Sequence, residues 1–529
     1  MAIRRRRGTA ALPVAIVLVA VAVFASACSS SEDDDAGTTT STPAPSFETR
    51  APVEVAAPPA EGNGAVVPQP AVPLPEGYVQ EEYFLAGTAT RFDAVETPAD
   101  GHWVAAPGEE AEYRTRVIVR RPESAAAFSG TVVVEWFNVS AIEASPDWAY
   151  LAQEIGREGD AYIGVSTQRQ GVEGGDTILD VEVDEEAAAD TGVTADTSGL
   201  KNIDPERYGT LVHPGDAYAF DIFNQVGRAA RDDADRLLGG LEPTRVIAVG
   251  ESQSAIFLST FVNAVHPLDP VYDGFLIHSR GATVAPLDGD FLSAAGREDP
   301  EAALQEAVLI RTDLDVPVLL FATETDLTLL GYANARQPDT DLVRTWEVAG
   351  TAHADAHLIR AIIGGPRDPG AGSLLGCSRP INTGPHHEVV SAALHQLVAW
   401  ADGGPPPPTG EPIQLTDHAD PTIARDADGN ALGGVRNPLL DVPVATLTGD
   451  PPDGASIDDL ADGGGDVCIL FGSTEPFDRA TLADHYADAD AYVDAFRASA
   501  DAAVADGYLL RRDADELVAE AEANRALFG

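Results

Sequence analysis

The feature that most constrains the fold of this chain is a series of short Val- and Ile-rich runs, separated by stretches compatible with helices. The runs have the length of buried strands, and most are apolar on both faces. Strands of this kind that alternate with helices are typical of a parallel sheet covered by helices. We therefore predict an α/β fold with a mostly parallel central sheet. The predicted strands are 113–120, 131–137, 161–166, 245–250, 272–278, 316–322 and 345–349.

The composition favours a large folded protein and opposes nucleic-acid binding. Of the 529 residues, 85 are acidic and 33 are basic, which gives a formal net charge of −52. Such a charge repels a phosphate backbone, so nucleic acid is excluded as a predicted partner. Hydrophobic residues make up 44% of the chain, which is enough to bury a large core.

The N-terminus has the features of a bacterial lipoprotein signal. Four arginines precede an apolar run over 10–24, and three small residues lead to Cys28. The run is shorter than the ~20 residues that a spanning helix needs, and small residues suit a peptidase that cleaves before a lipidated cysteine. We predict a signal peptide over 1–28, lipidation at Cys28, and export to the outer face of the membrane, which only the lipid contacts. An ordinary signal peptide with an incidental cysteine is the alternative.

Two cysteines remain after Cys28, namely Cys377 and Cys468. An exported protein meets an oxidising compartment, where a leftover pair can form a disulfide. We predict that these two cysteines are bridged. Two buried thiols that act as small apolar side chains are the alternative.

The rest of the chain divides by composition. Residues 29–75 are rich in Ser, Thr, Pro, Ala and acid, which predicts a disordered tether. Residues 76–529 are assigned to one domain. Within it, the Gly- and acid-rich stretch 166–216 lacks periodicity and is predicted to be a cap-like insertion that roofs the site.

The strongest local signal for chemistry is the segment 250–254, with the sequence Gly-Glu-Ser-Gln-Ser. It lies between a predicted strand and a helix-compatible run, which is the context of a nucleophile elbow. A strand that turns sharply into a helix needs small residues two positions before and after the nucleophile, and Gly250 and Ser254 satisfy this. We predict that Ser252 is a catalytic nucleophile.

A serine hydroxyl needs a base to remove its proton and a carboxylate to orient that base. His353 follows the last predicted strand in a loop-like segment and is the predicted base. The strand 316–322 is followed by two carboxylates, Glu324 and Asp326. We favour Asp326 as the acid, and Glu324 remains a rival. The chain order Ser, acid, His is that of α/β-hydrolases.

An oxyanion in such a site is stabilised by backbone N–H groups. One N–H is predicted to come from Gln253, directly after the nucleophile. A second is predicted to come from the loop after an early strand, at Asn138 or Val139. This chemistry needs no metal or organic cofactor.

A metal site is the competing interpretation of one cluster, formed by His353, Asp355 and His357. The two histidines would share one face of a helix. Position 354 is alanine, however, so the glutamate of an H-E-x-x-H motif is missing. We therefore predict no metal site.

Several motifs together make the chain resemble the large "alpha/beta hydrolase domain" family of bacterial and fungal proteins. The resemblance implies an α/β-hydrolase fold from Tyr78 to the C-terminus, with the extension 370–529 wrapped around the core. The motifs are 134–140, 164–168, 213–216, 250–254, 278–281, 324–326, 336–339 and 350–355.

Together these features predict a serine hydrolase that cleaves a small carboxylic ester through an acyl-enzyme on Ser252. An acyltransferase that uses the same three residues is one alternative. A non-catalytic surface lipoprotein that kept the fold for binding is the other.

Overall fold

A computed structural model of the chain describes residues 52–175, 199–290, 307–365, 367–418, 421–451 and 467–529, all within one compact unit. The predicted signal peptide, Cys28 and the centre of the predicted cap lie outside these residues. The strands are β1 (Glu54–Ala56), β2 (Tyr78–Glu96), β3 (Val104–Pro122), β4 (Thr131–Trp136), β5 (Ala161–Val165), β6 (Arg245–Glu251), β7 (Gly274–His278), β8 (Val318–Thr323), β9 (Val343–Val348), β10 (Leu415–Asp417), β11 (Thr422–Ile423), β12 (Ala445–Thr448) and β13 (Ser473–Pro476).

Helices connect the strands and continue after the last of them. The α-helices are α1 (Pro146–Glu158), α2 (Arg169–Glu173), α3 (Leu200–Ile203), α4 (Pro205–Tyr208), α5 (Ala219–Asp232), α6 (Ala234–Leu237), α7 (Gln253–Thr260), α8 (Glu324–Thr328), α9 (Ala356–Ile363), α10 (His386–Ala401), α11 (Pro438–Asp441), α12 (Arg479–His485), α13 (Ala489–Asp506) and α14 (Arg511–Ala523). A π-turn at Phe261–Val265 continues α7. In the described part of the chain, no helix is both long enough and apolar enough to cross a membrane.

The central sheet has nine strands in the order β1-β2-β3-β5-β4-β6-β7-β8-β9. The six strands from β5 to β9 in this order are parallel to one another, whereas β1, β2 and β3 form an antiparallel edge, and β3 is also antiparallel to β5. All seven predicted strands are present. The predicted α/β architecture with a mostly parallel sheet is confirmed.

Side chains that alternate along the parallel strands fill two apolar layers, one on each face of the sheet. On one face, Val132 and Val134 of β4 pack in the same cluster as Phe220 and Phe223 of α5. On the other face, Val133 packs in a cluster with residues of α1 and α10. Because both faces are covered, these strands are apolar throughout, and this explains why their sequence runs were detectable.

The segment 52–75 corrects the tether prediction. β1 adds to the edge of the sheet by pairing with β2, and Gln69 Oε1 accepts hydrogen bonds from the backbone N–H and the hydroxyl of Ser145, over 2.6 and 2.8 Å. The backbone carbonyl of Val66 accepts from Arg116 over 2.8 Å. The segment is ordered by these hydrogen bonds and by a few valines, Val53, Val55, Val66 and Val72, that pack against the apolar clusters of the domain. Such contacts to distant residues are not visible in its composition.

The C-terminal region packs against the sheet and against the loops at its carboxyl edge. Its helix α10 contacts β7 and β8, and Val435 pairs with Val348 at the end of β9. Cys377 and Cys468 form the predicted disulfide, with Cα atoms 5.5 Å apart. The bridge links two segments of this region that are 91 residues apart in sequence.

Candidate active site

Ser252 lies in a sharp turn between β6 and α7. Its φ of 59° and ψ of −123° form a conformation that a residue with a side chain rarely adopts and that is often found at functional sites. Its N–H donates to the carbonyl of His278 over 2.9 Å. A Cβ on Gly250 would lie 3.2 Å from the backbone of Ser254, so the turn requires small residues at these positions. The turn holds Ser252 at the carboxyl edge of the parallel strands.

His353 meets Ser252 across this edge, although the two are 101 residues apart in sequence. Its Nε2 is 2.8 Å from Ser252 Oγ, and its Nδ1 is 2.6 Å from Oδ1 of Asp326. When the Nδ1–H group of His353 donates a hydrogen bond to the carboxylate, Nε2 has a lone pair that faces the hydroxyl. Burial opposes the charged form of His353, but Asp326 overcomes this and raises the pKa of the imidazole.

Asp326, and not its rival Glu324, is therefore the carboxylate beside the histidine. A reciprocal cap at the start of α8 fixes its position, because Thr323 N–H donates to Asp326 Oδ2 over 2.7 Å and Asp326 N–H donates to Thr323 Oγ1 over 3.3 Å. Burial alone would raise the pKa of Asp326, but His353 and these hydrogen bonds hold it below its usual range. The carboxylate is thus ionised at neutral pH.

Glu324 has a different set of partners. Its two oxygens accept from the backbone N–H of Gly350 over 2.6 Å, from the N–H of Gly449 over 3.1 Å and from Arg425 over 2.9 Å. Burial raises the pKa of Glu324 and Arg425 opposes the rise. This carboxyl joins the histidine-bearing loop to the C-terminal region.

Two of the predicted oxyanion donors, Gln253 and Val139, lie close together. Gln253 is the first residue of α7, where helical N–H groups have no acceptor within the helix and carry partial positive charge. The N–H of Val139 is 3.4 Å from Oε1 of Gln253, near the long limit of a hydrogen bond. A stronger acceptor, such as an oxyanion, would compete well for it.

Asn138 was wrong as an oxyanion donor. Its N–H donates to the carbonyl of Ala144 over 2.9 Å, and Ala144 N–H returns the bond over 2.8 Å, so the two residues form a β-bridge. The Asn138 side chain donates to the backbone carbonyl of Glu251 over 3.1 Å. Asn138 therefore fastens the loop after β4 to the nucleophile turn.

Glu251 adds a second carboxyl at the histidine, which sequence reasoning missed. Its Oε1 is 3.6 Å from Nε2 of His353. Burial raises the pKa of Glu251 to about 8, although His353 acts in the opposite direction. The group is therefore mostly uncharged at neutral pH. Its place in a buried strand, directly before Ser252, is the signal that could have identified it, because buried carboxyls are rare without a specific role.

Gln168, at the start of the predicted cap-like stretch, was also missed. Its Oε1 accepts from Gln253 Nε2 over 2.9 Å and from Trp136 Nε1 over 3.0 Å. All three side chains are buried. The side chain next to the nucleophile is thus braced by the segment that follows β5.

The raised pKa values of His353 and Glu251 predict a bell-shaped dependence of kcat/KM on pH. The base is active when His353 is neutral, so activity is expected to fall on acidification through a pKa above the ordinary ~6.5 of histidine. Above about pH 8, ionised Glu251 places a second negative charge 3.6 Å from Nε2 of His353. This charge disfavours a transition state that is itself negatively charged, so activity is expected to fall again. The measurement is kcat/KM against pH for the wild type and Glu251→Gln. The variant should lose the alkaline fall and keep the acidic one; an unchanged alkaline limb would contradict this role.

The side chains of the competing metal interpretation have separate partners. His353 is engaged with Ser252 and Asp326. Asp355 accepts from the hydroxyl of Tyr150 over 3.0 Å, and His357 Nε2 lies 3.1 Å from the carbonyl of Ala149. The structure does not bring the three side chains together around one point.

Ser252, His353 and Asp326 therefore form a chain of hydrogen bonds at the carboxyl edge of a mostly parallel sheet. The sequence matches the model of the alpha/beta hydrolase domain family over residues 39–519. No curated protein matches the chain.

The solved structures that a structural comparison matches to this chain include a fungal esterase from Rhizomucor miehei, at 12% identity over 62% of this chain and 86% of that chain, with a TM-score of 0.30. They also include the acetyl xylan esterase 1 of Thermoanaerobacterium, at 12% identity over 56% of this chain and 82% of that chain, with a TM-score of 0.25. The family match extends over most of the sequence, and the sheet order agrees with the fold it implies. The chain belongs to the alpha/beta hydrolase domain family and has the α/β-hydrolase fold.

Proposed function

We propose that the protein hydrolyses a small carboxylic ester through an acyl-enzyme on Ser252. The observation that supports this most directly is the hydrogen-bond chain from Ser252 Oγ through His353 to Asp326. The same chain of groups activates serine nucleophiles on several unrelated folds. The distances lie within the range needed for proton transfer between nucleophile and base.

The reaction follows from these positions. Ser252 Oγ attacks the ester carbonyl while His353 Nε2 accepts the hydroxyl proton. The tetrahedral oxyanion is stabilised by the N–H groups of Gln253 and Val139. The intermediate collapses, the ester C–O bond breaks, and the alcohol leaves with the proton from His353. A water molecule then attacks the acyl-enzyme, again with His353 as base, and releases the acid and free Ser252.

A covalent serine probe tests this proposal without knowledge of the natural ester. A fluorophosphonate is expected to modify the purified protein once, at Ser252, and to abolish hydrolysis of p-nitrophenyl butyrate in parallel with labelling. Peptide mass spectrometry locates the modified residue. Labelling elsewhere would remove Ser252 as the nucleophile, and a folded protein that neither reacts nor hydrolyses the ester would indicate a binding role.

We also propose that the protein is exported and anchored by a lipid on Cys28. The arginines, the apolar run and the small residues before Cys28 support this, as does the Cys377–Cys468 bridge, since disulfides persist in oxidising compartments. Cys28→Ser is expected to move the protein from the membrane fraction to the soluble fraction of the cell envelope and to abolish incorporation of labelled palmitate. Palmitate incorporation into the variant would contradict the assignment.

A further inference from the structure

Arg280 is a fully buried cation at the carboxyl edge of the sheet, two residues after β7. Its side chain is 1% exposed. Nη2 donates to the backbone carbonyl of Val308 over 2.6 Å, and the guanidinium lies 5.6 Å from the ring centroid of Tyr332. Nε and Nη1 are buried without a hydrogen-bond partner among the described residues. Only one of the three guanidinium nitrogens of Arg280 therefore donates a hydrogen bond within the described part of the chain.

Two other arginines of the described residues are as fully buried as Arg280, and each donates to a side-chain oxygen. Arg116 pairs with Glu143, and Arg120 donates to Oε1 of Gln80 over 2.8 Å and lies over the rings of Trp148 and Tyr162. In the described part of the chain, Arg280 has no carboxylate within ion-pair distance. Among the described residues, Arg280 thus combines complete burial with two donor nitrogens that have no partner and with no carboxylate in reach.

The charge on Arg280 persists despite its burial. Burial lowers the pKa of Arg280 to about 10, while Tyr332 opposes the shift, so the guanidinium is protonated at neutral pH. A buried charge without a partner destabilises the folded state. An acceptor that enters from outside the chain would remove this penalty.

The position of Arg280 connects it to the reaction site. The carbonyl of His278 accepts from Ser252 N–H over 2.9 Å, and Ala285 N–H donates to the carbonyl of Ile256 in α7 over 3.3 Å. The segment 278–285, which contains Arg280, therefore runs beside α7, from the turn at Ser252 to Ile256 near the start of the helix. Consecutive Cα atoms are about 3.8 Å apart, so Arg280 Cα lies within about 8 Å of the Cα of His278.

The residue before Arg280 also has an unusual conformation. Ser279 has φ of 56°, and its buried Oγ has no partner among the described residues. Backbone strain of this kind is found where a segment is held for function. Two adjacent residues beside the nucleophile turn thus present unsatisfied donors.

We propose that Arg280 binds the carboxylate of an anionic ester substrate and so selects esters that carry a free carboxylate. The planar guanidinium matches a carboxylate in a bidentate arrangement, with Nε and Nη as donors. This inference rests on the proposed ester hydrolysis, because it names the substrate class of the same site.

Matched pairs of esters test the selection in the full-length protein in detergent. On the acyl side, mono-p-nitrophenyl succinate and glutarate are compared with p-nitrophenyl butyrate and valerate. On the alcohol side, 4-acetoxybenzoate is compared with its methyl ester. We expect kcat/KM for the anionic member to exceed that for the neutral member by roughly tenfold or more in one of the two arms, as a charge-assisted hydrogen bond allows. The arm that shows the preference locates the carboxylate, and no preference in either arm overturns the proposal.

Arg280→Gln separates recognition from packing. It should remove the preference while kcat/KM for the neutral esters stays within about threefold of the wild type, and Arg280→Lys should retain part of the preference. An equal loss for neutral and anionic esters would show a structural role. If Arg280→Gln does not fold, the comparison of anionic and neutral esters in the wild type and in Arg280→Lys still tests the proposal.

A binding measurement distinguishes failure of this inference from failure of the proposed reaction. In Ser252→Ala, glutarate is expected to raise Tm in a saturable manner, and adding Arg280→Gln to that variant should abolish the rise. Saturable glutarate binding that depends on Arg280, in a protein without esterase activity, would retain the anion site and reject the hydrolase. Equal Tm shifts in both variants, or none in either, would reject the anion site.

Discussion

Replacing Ser252 with alanine is expected to lower kcat/KM for p-nitrophenyl butyrate by on the order of a thousandfold or more. The variant loses the atom that forms the acyl-enzyme, while the oxyanion donors and the binding surface remain. His353→Ala should cause a loss of similar size, because the two residues act as a unit, and the double variant should add little. Steady-state kinetics with active-site-independent protein quantification measures the effect.

Ser254→Ala is the matched control. Ser254 lies two residues from Ser252 in the same turn, it is fully buried, and its Oγ has no hydrogen-bond partner among the described residues. Alanine preserves the small size that the turn requires at this position. We expect the activity of this variant to lie within about threefold of the wild type, because the substitution preserves the packing of the turn. If Ser254→Ala lost activity and Ser252→Ala retained it, the assignment of the nucleophile would be wrong.

Asp326→Asn is expected to lower kcat by on the order of a thousandfold to ten-thousandfold. The neutral amide oxygen is a weaker acceptor than the carboxylate, and the amide NH2 can donate to Nδ1 instead, so the tautomer with a lone pair on Nε2 is no longer favoured. The variant also loses the charge that raises the pKa of His353. Its acidic limb in kcat/KM should therefore move to lower pH, which a merely unfolded variant would not show.

Glu324→Gln is the companion experiment, because Glu324 was the rival acid. Its partners Gly350, Gly449 and Arg425 lie in structural loops, and removal of one member of a buried ion pair destabilises by about 3–5 kcal/mol. We expect a lower free energy of unfolding in urea, with turnover of the folded enzyme changed far less than in Asp326→Asn. The opposite pattern, stability lost at Asp326 and turnover lost at Glu324, would reverse the assignment.

The parallel strands and the nucleophile turn were predictable because their causes are local. A strand covered on both faces must be apolar at every position, and a turn around Ser252 must have small residues at Gly250 and Ser254. The position of His353 beside Ser252 was predictable from its place after the last strand. In each case a few neighbouring residues carry the whole signal.

The remaining features depend on contacts between distant segments. β2 has 19 residues, and most of them are exposed or only partly buried, so its apolar pattern is diluted. Asp326 and not Glu324 contacts His353, because Glu324 is held by Gly449 and Arg425. Both of these residues lie far from the two carboxylates in sequence. The unavailability of the Asn138 N–H depends on a bridge to Ala144 that no composition rule indicates.

The contacts at the histidine-bearing loop also bear on when the protein becomes competent during its synthesis. The Thr325 hydroxyl donates a hydrogen bond to the carbonyl of Gly449 over 2.7 Å. Ala354 N–H donates to the carbonyl of Leu470 over 3.0 Å. A ribosome makes Ser252 and His353 well before it makes these supports. A nascent or prematurely terminated chain would therefore hold Ser252 and His353 in unsupported loops, and the proposed ester hydrolysis would require translation at least as far as Leu470.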